Sequence, residues 1–580
     1  MVGFRGLSTV GGMSVSPAVR KGGASLVRVR RGGRASGGEH TGLDEDAVLG
    51  RATKPGHGAL DGEVTARPRR VGKSPSAEQI RGSTILLAGR LLSKFTNSAA
   101  TILIVRYLSQ SEYGAFAYGL SIVGLGETVV TLGLDRAITR FVPIYEERGE
   151  YNKLFGTLVM VVGVVLGLSI AGYLLLLGLQ GWIAGSLVRD RQVFGLLLIL
   201  IVLSPIKALD GVLMGMFSVF SSPKAIFFRR NVLAPLLTIT VVGMLVLGRA
   251  NVRFLALGYV VAGLAGLSIY TWVLLRMMRQ RGLLAHFSWQ GLALPWAEVL
   301  AFTIPLLTSD LVYTVLTTSD VILLERYRGT VEIAALRAVQ PVADANQIVF
   351  TAFTLLFTPL AARLFARNDR KGLNDLYWQT AIWIAVFTFP IFALTSSLAR
   401  PLTVLLFGPR YEPSAIYLAL LSIAYYVNSA FGFNGLTLKV YGLLRYIVGV
   451  NLAVMIVNLG LNLLLIPRYG ALGAAIGTSA TLIVFNVLKQ VGLGLGTGIN
   501  ILDRRYLRVY MVIAANAAAL YAVQAFVRPS VIVTVGLAAG ASLIVLHLAR
   551  SQLNIGEIFP ELLRLPLVGR LLGAGSQPLP

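Results

Sequence analysis

Four polar side chains on one predicted helix are the residues best placed to do chemistry. Arg90, Lys94, Asn97 and Thr101 advance by four, three and four residues. At 100° per residue they fall within roughly 60° of one another and form a single stripe. The stripe interrupts an otherwise apolar run at 83–105. A cation in the middle of a bilayer costs about 2.5–3.5 kcal/mol, so two on one face should look onto a polar cavity or an acidic partner. Arg offers a planar bidentate fork to a phosphate group, and Lys a mobile point charge. The alternative for Arg90, about two turns inside the run, is that it snorkels to the interface. Lys94 lies deeper.

A second stripe runs along the predicted seventh helix as Thr303, Asp310, Thr314 and Thr317, with Asp320 nearer its exit. Three roles are open to Asp310: pairing with Lys94 across the molecule, binding a coupling cation, or carrying a proton. Further ionisable groups fall inside apolar runs at Glu127, at Lys207 and Asp210, and at Arg337 and Asp344. Intramembrane charges are functional candidates by default, which makes Arg90, Lys94, Asn97, Glu127, Asp310, Arg337 and Asp344 the candidate substrate-binding set. Asn428, Asn458 and Asn462 suit either sugar hydroxyls or hydrogen bonds between helices. No catalytic constellation accompanies them. The chain has no Cys and no phosphate-binding G-x-x-x-x-G-K-[ST] loop, and its four His residues form no ligand-spaced cluster. A non-enzyme without cofactor or metal is expected, with coupling to a proton or sodium gradient open to it.

The elements that must position these groups follow from composition. Of 580 residues, 55% are hydrophobic and 14% charged, with a mean hydropathy of +0.71; a soluble domain carries about 25% charged residues. Apolar runs near the length of about 20 residues that a span requires recur throughout. The fold class is therefore an all-α polytopic membrane protein with about 14 transmembrane helices. The second, at 115–134, carries Glu127, and the eighth, at 335–362, carries Arg337 and Asp344. The net charge of +25 (52 − 27) does not point to nucleic acid, because the cations are scattered through short connections. Summed over alternate connections, Lys and Arg number 20 on the side that holds Arg136, Arg281 and Arg370, against 12 on the side of Arg106, Arg410 and Arg468. The richer side should be cytoplasmic, with both termini inside a plasma membrane. Residues 1–80 are rich in Gly, Ser and Arg and read as a disordered cytoplasmic tail. Residues 551–580 read as a second tail.

Shifting the sequence by 220 residues lays Arg106-Tyr107 on Arg326-Tyr327, Glu112 on Glu332, Gly215 on Gly435 and Asn231 on Asn451. Two homologous halves of six helices follow: 81–280 and 297–498, joined by a cytoplasmic linker at 281–296, with two further helices in 499–550.

Four segments, in order, resemble a known family. Arg106-Tyr107-Leu108-Ser109-Gln110-Ser111-Glu112-Tyr113-Gly114 looks like the first-helix exit of polysaccharide-type flippases, and Gly133-Leu134-Asp135-Arg136-Ala137-Ile138-Thr139-Arg140 like their second-helix end. Leu406-Phe407-Gly408-Pro409-Arg410-Tyr411 is similar to the turn before helix ten, and Asn458 to Ala475 to the signature of helices eleven and twelve. These belong to the polysaccharide transporter branch of the multidrug/oligosaccharidyl-lipid/polysaccharide exporter superfamily. The resemblance covers roughly residues 81–500. It implies two pseudo-symmetric six-helix lobes around a central cavity and export of a polyprenyl-diphosphate-linked oligosaccharide by alternating access for surface polysaccharide biosynthesis. The implied partners are that lipid-linked glycan, membrane lipids, and a polysaccharide polymerase and glycosyltransferases. A multidrug/cation antiporter of the same superfamily is the alternative, and a membrane-embedded transferase a more distant one.

Overall fold

The computed structural model describes residues 75–182, 191–220, 222–527 and 530–553, and every regular element among them is helical. The first half comprises α1 (Pro75–Tyr107), α2 (Gln110–Thr131), α3 (Leu134–Glu147), α4 (Tyr151–Gly178), α5 (Arg191–Leu200), α6 (Leu203–Val219), α7 (Pro223–Phe228), α8 (Ala234–Leu247) and α9 (Val252–Gln280). The second half comprises α10 (Trp296–Tyr327), α11 (Thr330–Ala343), α12 (Ile348–Ala366), α13 (Arg370–Phe392), α14 (Ala399–Phe407), α15 (Ala415–Ala430), α16 (Asn434–Val440), α17 (Leu444–Tyr469) and α18 (Ala471–Thr497). Two last helices follow, α19 (Arg504–Val527) and α20 (Val531–Leu553). They pack on each other, on α13 and on the π turn Ala393–Ser397 that follows it.

Eleven of the described helices are long and apolar enough to cross a membrane, or twelve if Thr330–Thr354 and Leu356–Ala366 form one bent span. The sequence predicts fourteen. The two predicted spans outside that set are the striped ones, α1 and α10, which form helices of 33 and 32 residues. In α1 the cations Arg81, Arg90, Lys94 and Arg106 break every long apolar run. That helix also begins at Pro75, inside the stretch read as a tail, and Pro suits the first helical position because its missing N–H would have no partner there. The rest of the expected tail, residues 1–74, and residues 554–580 lie outside the described residues. Large apolar side chains such as Leu174, Leu247, Phe526 and Ile532 are more than half exposed, as lipid-facing surfaces of a multi-pass membrane protein are.

The second predicted span is longer than expected. Its helix continues past residue 134, and the cations Arg136 and Arg140, read from sequence as loop residues, sit on α3. Leu132 and Gly133, both left-handed at φ 47° and 70°, bend the α2–α3 segment. The core face of α3 follows from its spacing: Leu134, Ala137, Ile138, Phe141, Val142 and Tyr145 are buried against α4 and α6. The eighth predicted span is broken as well. Pro341 removes a helix hydrogen bond, and Asp344–Gln347 tightens into a 3-10 turn between α11 and α12.

The halves meet where α2 packs along α10 and α11. Gly114 makes the close approach possible, since a Cβ there would lie 1.9 Å from the Thr330 carbonyl oxygen. A shared core surrounds this contact, with Ile104, Leu108, Tyr113 and Phe116 from the first half and Leu324, Ile333, Leu336, Phe407 and Tyr411 from the second. In lipid such a seam is held by packing and hydrogen bonds, because the hydrocarbon solvent gives little hydrophobic drive between helices.

Candidate functional site

The break between α11 and α12 creates a receptor for Lys94. A helical residue normally spends its carbonyl on an N–H four residues on; at the break the Asp344 carbonyl is available to a side chain. Lys94 Nζ donates to that oxygen at 3.0 Å and pairs with Asp344 Oδ2 at 2.7 Å. Gln347 Nε2 holds the other carboxylate oxygen, Oδ1, at 2.7 Å. The partner of Lys94 is thus Asp344. Pairing with Asp310, one of the three roles open to that residue, is not what the structure shows: Asp310 Oδ1 instead accepts from Arg136 Nη2 at 2.7 Å. The reason is lateral placement. Helix α1 approaches the α11–α12 break, whereas α10 runs beside α2 and α3.

Both ion pairs cross between the halves, and both have the same polarity. The first half supplies the cations, Lys94 and Arg136; the second supplies the carboxylates, Asp344 and Asp310. At the 220-residue offset read from the sequence, Asp310 falls on Arg90, a carboxylate against a cation. Arg90 itself lies on α1, but its side chain is outside the described ones.

The remaining candidates divide. Arg337 and Asp320 pair at 3.2 Å inside the second half, where Arg337 also donates to the Thr317 carbonyl and the Gln340 side chain. Their side chains are only 17% and 8% exposed, which marks them as internal scaffolding. Arg229 and Asp210 form the comparable pair inside the first half, at 2.8 Å and 8% and 28% exposure. The seam pairs are more open, at 32% and 38% for Lys94–Asp344 and 43% and 30% for Arg136–Asp310. Glu127 feels the charges of Lys207, Asp135 and Asp210, all in its own half, and the neighbouring Thr128 hydroxyl bonds across the seam to Thr314 at 2.8 Å. Asn97 is exposed, while Thr101 turns its hydroxyl to the Asn97 carbonyl of its own helix. Asn458 and Asn462 join Ser319 and Thr481 in a buried network between α10, α17 and α18. Asn428 accepts from Asn486 at 2.9 Å.

Sequence reasoning missed the residues that close the opposite end. Arg410 reaches from the loop after α14 and donates to the carbonyls of Val105, Arg106 and Leu108. Arg106 returns the contact to the carbonyls of Leu405 and Leu406. Ser111 and Thr330 share a hydrogen bond at 3.2 Å beside them. Both arginines stand within segments that carry the family resemblance, which was the available signal for a structural role. A separate cavity of about 440 Å³ lies inside the first half, lined by Phe155, Leu213, Met216, Leu274, Phe287 and similar groups. With no charged lining it offers nothing to an anionic headgroup.

A family model described as polysaccharide biosynthesis protein matches residues 80–365. A curated relative, the stage V sporulation protein B of Bacillus subtilis (strain 168), is 25% identical over 138 residues, which is 24% of this chain and 27% of the relative. The chain therefore spans about a quarter of that relative's length. Among solved structures, the lipid II flippase MurJ in an inward closed conformation superposes with a TM-score of 0.63 at 14% identity, covering 81% of this chain and 99% of that one. An inward-facing multidrug resistance MATE family transporter gives 0.57 at 12% identity, covering 72% and 98%. Together with the four sequence motifs these likenesses agree: residues 80–365 match a polysaccharide biosynthesis family, and the fold is the one seen in the lipid II flippase and MATE transporter structures.

Proposed function

We propose that this protein is a flippase that carries a polyprenyl-diphosphate-linked oligosaccharide from the inner to the outer leaflet of the cell membrane, for surface polysaccharide biosynthesis. The observation that carries the reading is Lys94: a membrane-embedded cation at the seam, one turn from Arg90, that reaches across to the second half. A diphosphate must be neutralised to cross a low-dielectric slab, and a cation on one half that meets the other half is where a moving anion can be handed over. The halves would rock about the seam while the lipid tail stays in the bilayer. The Arg136 end and both termini face the cytoplasm on the loop-charge bias. Glycosyltransferases would supply the substrate and a polymerase consume it. A proton or sodium gradient would drive the cycle, with Asp310 and Asp344 as the seam carboxylates open to it.

An antiporter for organic cations needs unpaired negative charge facing its substrate. Here Asp344 and Asp310 are each matched by a first-half cation, which favours the anionic lipid. The test is reconstitution in liposomes with a fluorescent polyprenyl-diphosphate disaccharide and, separately, a fluorescent organic cation. Translocation of the first and not the second is expected. The reverse result overturns the reading in favour of the antiporter.

A further inference from the structure

We infer that the Asp344 carboxylate is an internal stand-in for the substrate's phosphate: Lys94 exchanges it for a phosphate oxygen on binding, and the exchange releases an ionic bridge between the halves. The inference rests on the proposed function and concerns how that same site is regulated.

Three observations carry it. The Lys94–Asp344 pair is about a third exposed on both sides, whereas Arg229–Asp210 and Arg337–Asp320, the pairs in the interior of each half, bury one partner to 8%. A buried pair cannot trade partners without stranding a charge; a partly open pair can. Asp344 also has a second holder. Gln347 Nε2 binds its Oδ1 at 2.7 Å from within the same turn, so the carboxylate that loses Lys94 keeps a hydrogen bond and its place at the α11–α12 break. Lys94, for its part, is bound among the described residues by Asp344, through Oδ2 and the main-chain oxygen. A flexible four-carbon stem can swing that ammonium to a nearby anion without unfolding anything.

The exchange has a direction. A diphosphate presents more negative charge to Lys94 than one carboxylate does, so occupied and empty sites differ in which half holds the cation's partner. Empty, Lys94 ties α1 to the second half. Occupied, it is satisfied by a ligand, and among the described residues Arg136–Asp310 is the ionic bridge that remains. Asp344 therefore competes with the substrate, and this makes it a positioning residue that sets affinity as well as conformation.

The experiment measures concentration-dependent flipping of a fluorescent polyprenyl-diphosphate disaccharide in proteoliposomes, with protein abundance and thermal unfolding recorded for each variant. Asp344→Asn removes the competing charge but leaves an acceptor for Gln347. It should lower KM several-fold and also lower the maximal rate, because the empty carrier loses its bridge. If that variant fails to accumulate, Asp344→Ser gives the same comparison with a smaller acceptor. Lys94→Ala should raise KM, and adding Asp344→Asn to it should change KM no further. The charge swap, Lys94→Asp with Asp344→Lys, should recover unfolding temperature and abundance but not flipping. An unchanged KM for Asp344→Asn, or full flipping by the swap, overturns the exchange and leaves a purely structural bridge. Absence of flipping by the unaltered protein overturns the function reading instead, so the two failures are told apart.

Discussion

The two ends of the seam are closed by different chemistry. At the Arg106 end, guanidinium groups clamp backbone carbonyls: Arg410 serves three on one side and Arg106 two on the other. Around them α2 and α11 are in near backbone contact at Gly114 and Thr330. Toward the Arg136 end the halves are joined by side-chain ion pairs, each partly open. A carbonyl cannot be titrated, moved or outcompeted without moving its helix. A carboxylate can be neutralised or replaced by another anion. The difference teaches which end is fixed by main-chain contacts in this conformation and which is held by groups that another ion can displace.

The sharpest way to break the comparison is to make the fixed end permanent. The chain has no Cys, and the Ser111 and Thr330 hydroxyl oxygens are 3.2 Å apart. A Ser111→Cys, Thr330→Cys pair should cross-link on mild oxidation and abolish translocation, and reduction should restore it. Transport that persists in quantitatively cross-linked protein would show that this end never opens.

A smaller effect is expected from Arg410→Ala. It leaves carbonyls at the end of α1 without donors, at a cost of about 1–3 kcal/mol for unsatisfied buried groups. Thermal unfolding in detergent should fall accordingly, and Arg410→Lys should recover part of it, since an ammonium lacks the fork. An unfolding temperature equal to that of the unaltered protein would mean that the clamp is dispensable.

The smallest stability change belongs to Asp310→Asn. A partly exposed ion pair contributes about 1 kcal/mol or less, so unfolding should move little while the rate of translocation changes. A loss of stability as large as that of Arg410→Ala would erase the distinction between the two ends.

What was legible in the sequence was what local spacing encodes. The apolar runs and the polar stripes on α1 and α10 depend on neighbours a few residues away. The partner of Lys94 did not follow, because Asp344 is 250 residues distant and the choice between it and Asp310 is made by which helices lie side by side. The extension of the second span into α3 was hidden by its cations: Arg136 and Arg140 look like a loop when charge is taken as a boundary. Arg410 was hidden for the opposite reason, since its partners are main-chain oxygens and leave no trace in residue type. The number of spans is least readable in α1, whose cations interrupt the hydropathy by which spans are counted.

The two helices at the C-terminal end have a mechanical consequence. α19 and α20 pack on α13 and the π turn after it, adding cross-section in the membrane plane to the second half. In a viscous bilayer the drag on a rotating body rises steeply with its lateral size. Under the proposed rocking, the slimmer first half would sweep the larger angle while the ballasted second half acted as the stator. Lys94 and Arg136 would ride on the rotor, and the carboxylates they leave behind would stay with the frame.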